Sequence, residues 1–96
     1  MYDFIFTKIA EKTLSMLVNE GRLTKLKKIR EALKKLKENP RHPGLHTHVN
    51  NSYRNYLDKQ TFQSYVENKT PSAYKIFWCY GLEKGIIVIL AIIPHP

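Results

Sequence analysis

The segment Ile86-Ile-Val-Ile-Leu-Ala-Ile-Ile is eight apolar residues without a break, and it limits what this chain can become more than any other stretch. It is far shorter than the ~20 residues that carry a helix across a bilayer. Its wealth of isoleucine and valine, with no alternation, reads as a strand buried on both faces. The run is therefore the core of a soluble domain. Immediately before it, Gly81-Leu-Glu-Lys-Gly reads as a five-residue hairpin loop, and Tyr74 to Tyr80 as a strand of very high β propensity. Lys69-Thr-Pro-Ser marks a turn. Ahead of that turn, Thr61 to Glu67 alternates: Phe62, Ser64 and Val66 lie on one side, and Gln63, Tyr65 and Glu67 on the other. That is a half-exposed strand, so the C-terminal half forms a three-stranded meander.

The N-terminal half carries a different period. Tyr2 to Phe6 is aromatic and β-branched and reads as a first strand. From Thr7, a suitable N-cap, Ile9, Ala10, Leu14, Leu17 and Val18 recur at helical spacing. Gly21 is a natural stop. In a second helix Leu26, Ile29, Ala32, Leu33 and Leu36 share one face, and Asn39-Pro40 ends it, because a residue before proline is pushed out of the α region. Pro40 to Leu45 reads as irregular, and Asn50-Asn-Ser as a turn. The segment from Tyr53 to Lys59 fits a short helical turn or a loop. The expected class is α+β, in the order β-α-α-β-β-β: an antiparallel helical hairpin packed on one face of a small sheet, as a single domain over residues 1–96.

Charge narrows the partners. Sixteen Lys and Arg stand against eight Asp and Glu, for a net +8 and a pI near 9.7. Such an excess favours polyanions, whether nucleic acid, an anionic membrane surface or an acidic protein. Eight of the sixteen fall between Arg22 and Lys37, namely Arg22, Lys25, Lys27, Lys28, Arg30, Lys34, Lys35 and Lys37, with only Glu31 opposing them. A solvated helix face explains such a run in many proteins, but a merely soluble helix mixes signs. A lysine-rich patch facing RNA backbone or the ribosome fits better, and it would position rather than read sequence. The one cysteine, Cys79, has no internal partner, and no basic leader precedes the first apolar residues, so a reducing, cytoplasmic setting is expected.

Three short segments add a family resemblance. Ala73-Tyr-Lys-Ile-Phe-Trp resembles the third strand of the RelE/ParE toxin superfamily, where a basic residue precedes a bulky apolar pair and an aromatic. Leu90-Ala-Ile-Ile-Pro-His-Pro resembles the last strand of the RelE-like branch, with its histidine near the C-terminus. Asn39-Pro-Arg-His-Pro-Gly-Leu resembles the link from second helix to second strand. The resemblance implies a toxin of a toxin-antitoxin system, held silent by a cognate antitoxin protein. RelE-like members cleave mRNA, usually on the ribosome, whereas ParE-like members poison DNA gyrase. Neither a cofactor, a metal nor a membrane is implied. By position, Lys75 takes the place of a strand arginine and His95 that of the catalytic histidine. The link carries His42-Pro43-Gly44 where one subgroup has a glutamate base, and Pro96 stands where some members have tyrosine.

Cleaving RNA with its own 2′-hydroxyl needs a base, a cation for the phosphorane and an acid for the leaving oxygen. His95 is the best acid or base, although a histidine there also fits a solvated tail. Lys75 would sit on the phosphate. Tyr65 and Glu67 could supply a second proton-transfer group. Arg41 and Lys69 would add charge at the sheet edge, and Lys27, Lys28, Lys34 and Lys35 would bind backbone. Among the other candidates, Cys79 reads as an inert core thiol, and Tyr74, Trp78 and Tyr80 as core beneath the helices. His46 and His48 would lie on one side of an extended segment with His42 nearby, yet all three read as polar loop residues rather than metal ligands, because no cysteine or acid joins them. A binding protein of the same fold without catalysis is the alternative.

Overall fold

The computed structural model describes residues 1–53, 57–67 and 73–94. Strand β1 (Asp3–Phe6) leads into helix α1 (Lys8–Asn19) and, through Gly21, into helix α2 (Leu23–Glu38). A single 3-10 turn (Pro43–Leu45) and a two-residue strand β2 (His48–Val49) precede strands β3 (Phe62–Tyr65), β4 (Tyr74–Tyr80) and β5 (Ile86–Pro94). The five strands form one sheet in the order β1-β5-β4-β3-β2. β1 runs parallel to β5, while the last four strands form an antiparallel meander. The α+β class holds, and the last three long strands are adjacent, as their pattern implies.

Local chemistry accounts for the helix ends. Thr7 Oγ1 accepts from the Ala10 N–H at 3.2 Å, the N-cap geometry that satisfies an otherwise open amide. The same hydroxyl donates to the Leu90 carbonyl at 2.7 Å, so one side chain both starts α1 and ties it to β5. Gly21 sits at φ +68°, where a side chain would be strained, and this lets the chain reverse between the helices. α2 ends at Asn39, whose backbone is extended ahead of Pro40.

The apolar run is covered on both faces. On the helical side Ile87, Ile89 and Ile92 join Tyr74, Ile76 and Trp78 under Leu17, Leu26, Ile29 and Leu36. On the other side Val88, Leu90 and Ala91 join Phe77 and Cys79 beneath Tyr53 and Leu57. Strict alternation would not place Leu90 and Ala91 together. A register shift does so: Phe77 pairs with Ala91 but Trp78 pairs with Ile89, leaving Leu90 as an extra residue in β5.

Two boundaries differ from expectation. The third strand stops at Tyr65 rather than Glu67, so the alternation that would put Tyr65 and Glu67 on one face does not reach Glu67. The stretch after Leu45, to which the sequence pattern assigns no strand, contributes β2, whose His48 pairs with Gln63 and Val49 with Phe62. Two residues are too few to show a period.

Candidate nucleic-acid interface

The sheet register brings a row of side chains to one end of the face that the helices do not cover. Residues directly opposite across strands share a face, so Tyr65, paired with Lys75, and Lys75, paired with Ile93, run side by side. Lys75 alternates with Tyr74 and Ile76, which are buried toward the helices, and is itself only half-buried. Ile93 is exposed. The cover of Tyr53, stacked on Phe77 at 4.9 Å, reaches the neighbouring part of this face, where Phe77 and Cys79 are buried.

Tyr65 closes the row against two histidines. Its ring centroid lies 5.8 Å from that of His48, edge to face, and 6.3 Å from that of His46. His46 caps the 3-10 turn in the left-handed region at φ +47°, a conformation uncommon for a side chain other than glycine. His48 Nδ1 lies 3.2 Å from the His46 carbonyl. A carbonyl only accepts, so that nitrogen carries the proton, and in the neutral ring Nε2 keeps its lone pair. Sequence reasoning set these histidines aside because they lacked a metal-site companion. Among the described residues no group of three His, Cys, Asp or Glu side chains could hold a metal ion. The signal for their placement beside Tyr65 is the alternating pair itself, His46-Thr-His48, leading into β2, which pairs with β3.

Glu67 lies elsewhere. Its side chain, 8 % exposed, takes Lys25 Nζ at 2.9 Å on Oε2 and Lys28 Nζ at 3.0 Å on Oε1. Its carboxylate is thus engaged by the first turns of α2, and the structure does not bring it to the Tyr65–Lys75 row. Lys25 also places its ammonium 6.0 Å above the Tyr74 ring. Lys28 and Lys35, with Glu31, line a groove of about 220 Å³ between α2 and the 3-10 turn that ends at Tyr65 and Glu67. Lys27 and Lys34 are exposed on the same helix. Of the other candidates, Arg41 is exposed after α2, while Lys69 and His95 lie outside the described residues.

A second, larger hollow of about 420 Å³ opens beside the link that follows α2. Arg41, His42 and His46 stand around it, and Phe62, Trp78 and Tyr80 form its floor. Phe62 stacks on Trp78 at 4.7 Å, and Tyr80 meets both rings edge-on. Ser64 accepts from Trp78 Nε1 at 2.8 Å and shares a 2.6 Å hydrogen bond with Thr47, so the floor and the histidine-bearing link are joined by one buried hydroxyl.

Cys79 is fully buried, and burial pushes its thiol above the ordinary value of 9.0 against the lowering effect of Lys59. It is not an accessible nucleophile. No helix among the described residues is long and apolar enough to cross a membrane. Neither protein-family models, nor curated proteins, nor solved structures match this chain.

Proposed function

We propose that the chain is an RNA-cleaving toxin of the RelE-like type, silenced by a protein antitoxin and acting in the cytoplasm, with or without the ribosome. The observation that carries the reading is the row in which Tyr65, Lys75 and Ile93 adjoin, with His95 two residues beyond Ile93 in the chain. In that arrangement Lys75 neutralises charge on the phosphorane, as a point charge where relatives use a bidentate guanidinium. His95 donates the proton to the leaving oxygen. Tyr65, with His48 beside it, occupies the side of the row where a base is needed, and the His48 Nε2 lone pair has the chemistry to take the 2′-hydroxyl proton. The lysines of α2, with Lys35 extending the charge toward the 3-10 turn, hold backbone phosphates without reading bases.

The test is to express the chain alone and map cleaved messages, with His95→Ala and Lys75→Ala beside it. Both variants should lower cleavage, His95→Ala by roughly 10²–10⁴-fold. Lys75→Arg should keep or raise it. Toxicity that survives His95→Ala without cleaved message would favour the alternative, a gyrase-directed or purely binding member of the same fold.

A further inference from the structure

We propose that the aromatic-floored hollow beside Arg41 is a pocket for a single nucleotide of an RNA strand, separate from the Tyr65–Lys75 row. Its size, about 420 Å³, is in the range of small-ligand sites. Its floor presents the half-buried Phe62 and Tyr80 over the buried Trp78, and aromatic faces stack bases of any sequence. Its rim is cationic or donor-bearing: Arg41 is exposed there, and His42 Nδ1 accepts from the Gly44 N–H at 2.9 Å. A neutral His42 therefore carries its proton on Nε2 and presents a donor. Among the described residues no carboxylate lines the hollow. A planar, apolar body with an attached anion is the ligand that such a floor and rim fit together. An acidic peptide would answer the rim but leave the accessible faces of Phe62 and Tyr80 without a planar partner.

Two further observations support the assignment. Arg41 lines the hollow together with Tyr80, and its positive charge lowers a Tyr80 pKa that burial raises. His48 borders both this hollow and Tyr65, so the edge strand β2 connects the pocket with the row. A strand with one base in the pocket would continue past His48 toward Lys75, and the pocket would choose which phosphate reaches the row. That consequence rests on the RNA-cleaving reading; nucleotide binding in the pocket does not.

Trp78 is the single tryptophan of the chain and lies directly beneath Phe62 and Tyr80, so its fluorescence reports occupancy of the hollow. Titrating the full chain with adenosine 5′-monophosphate and, in parallel, with ribose 5-phosphate should quench Trp78 in the first case only. Arg41→Ala should weaken the nucleotide by about tenfold or more, the scale of a lost charge-assisted contact. Lys75→Ala should leave it unchanged. Equal affinity for ribose 5-phosphate, or nucleotide binding that leaves Trp78 undisturbed and ignores Arg41→Ala, would overturn the pocket. So would an acidic peptide that saturates the quench where nucleotides do not. Absent cleavage with intact quenching would instead count against the catalytic reading alone.

Discussion

Replacing Glu67 by glutamine keeps the shape of the side chain and removes its charge, which separates a structural clamp from a proton-transfer group. The wild-type carboxylate is almost fully buried, at 2.9 Å from Lys25 and 3.0 Å from Lys28. The Lys25 side chain is 17 % exposed, and a charged hydrogen bond in such a place contributes about 1.5–3 kcal/mol. Lys28 is 48 % exposed, so solvent reduces its share to about 0.2–1 kcal/mol. Glutamine still accepts one bond but removes the negative charge that both ammonium groups, on adjacent turns of α2, face in the wild type. The expected loss is therefore about 2 kcal/mol, which for a domain of this size lowers Tm by about 8–16 °C. Urea and thermal unfolding of Glu67→Gln, Lys25→Met, Lys28→Met and the two double variants would measure it. Coupling to Lys25 should exceed coupling to Lys28, and only the latter should fade noticeably with salt. Cleavage per folded molecule should stay within a few-fold of wild type. A loss below about 0.5 kcal/mol, or a 10²-fold fall in cleavage with stability intact, would refute the clamp and return Glu67 to the chemistry.

Other outcomes follow from the same geometry. Ser64→Ala strands the Trp78 indole N–H in the core and should cost about 1–3 kcal/mol by urea unfolding, whereas Ser64→Ala with Trp78→Phe should cost less than the sum of the single changes. Reversing Lys27, Lys34 and Lys35 to glutamate should weaken RNA binding about equally for all sequences and flatten its salt dependence; an unchanged salt slope would make the patch a solubility device. Adding Lys28 to that set should also lower Tm, because Lys28 pairs with Glu67. Cys79 should resist thiol reagents until the chain unfolds. Because its folded pKa lies above the unfolded value of 9.0, the stability from the neutral thiol is present below that pH and is lost as pH rises through the folded value, so Cys79→Ala should flatten the alkaline limb of a stability–pH curve.

Most of the frame is written locally. Thr7 caps α1, Asn39-Pro40 ends α2, the strand at Tyr74–Tyr80 shows in its β propensity, and the loop from Gly81 to Gly85 shows in its glycines. What escapes the sequence depends on neighbours distant along the chain. An unbroken apolar run hides its own irregularity, so nothing in Ile86–Ile93 reveals that Leu90 is the extra residue. Glu67 extends an alternating pattern by eye, yet the strand has ended and α2, some forty residues earlier, claims the carboxylate. The site divides in the same way. Lys75 is legible from its place opposite Tyr74 and Ile76, and Tyr65 from the alternation before it. The placement of His46 and His48 beside Tyr65 follows from a two-residue strand that exists through its pairing with β3.

The parallel union of β1 with β5 also sets a timetable. β5 lies between β1 and β4, and the Thr7 hydroxyl reaches a carbonyl 83 positions later. On a ribosome the first strand and the helical hairpin emerge long before the strand that must lie beside them. Until about residue 94 is free, β1 has no partner strand, the helices cover an incomplete sheet, and Lys75 lacks one flank of its row. Contacts so far apart in sequence form slowly and late. A nascent chain of this design therefore lacks the finished sheet, and with it the complete Tyr65–Lys75–Ile93 row, until β5 has emerged.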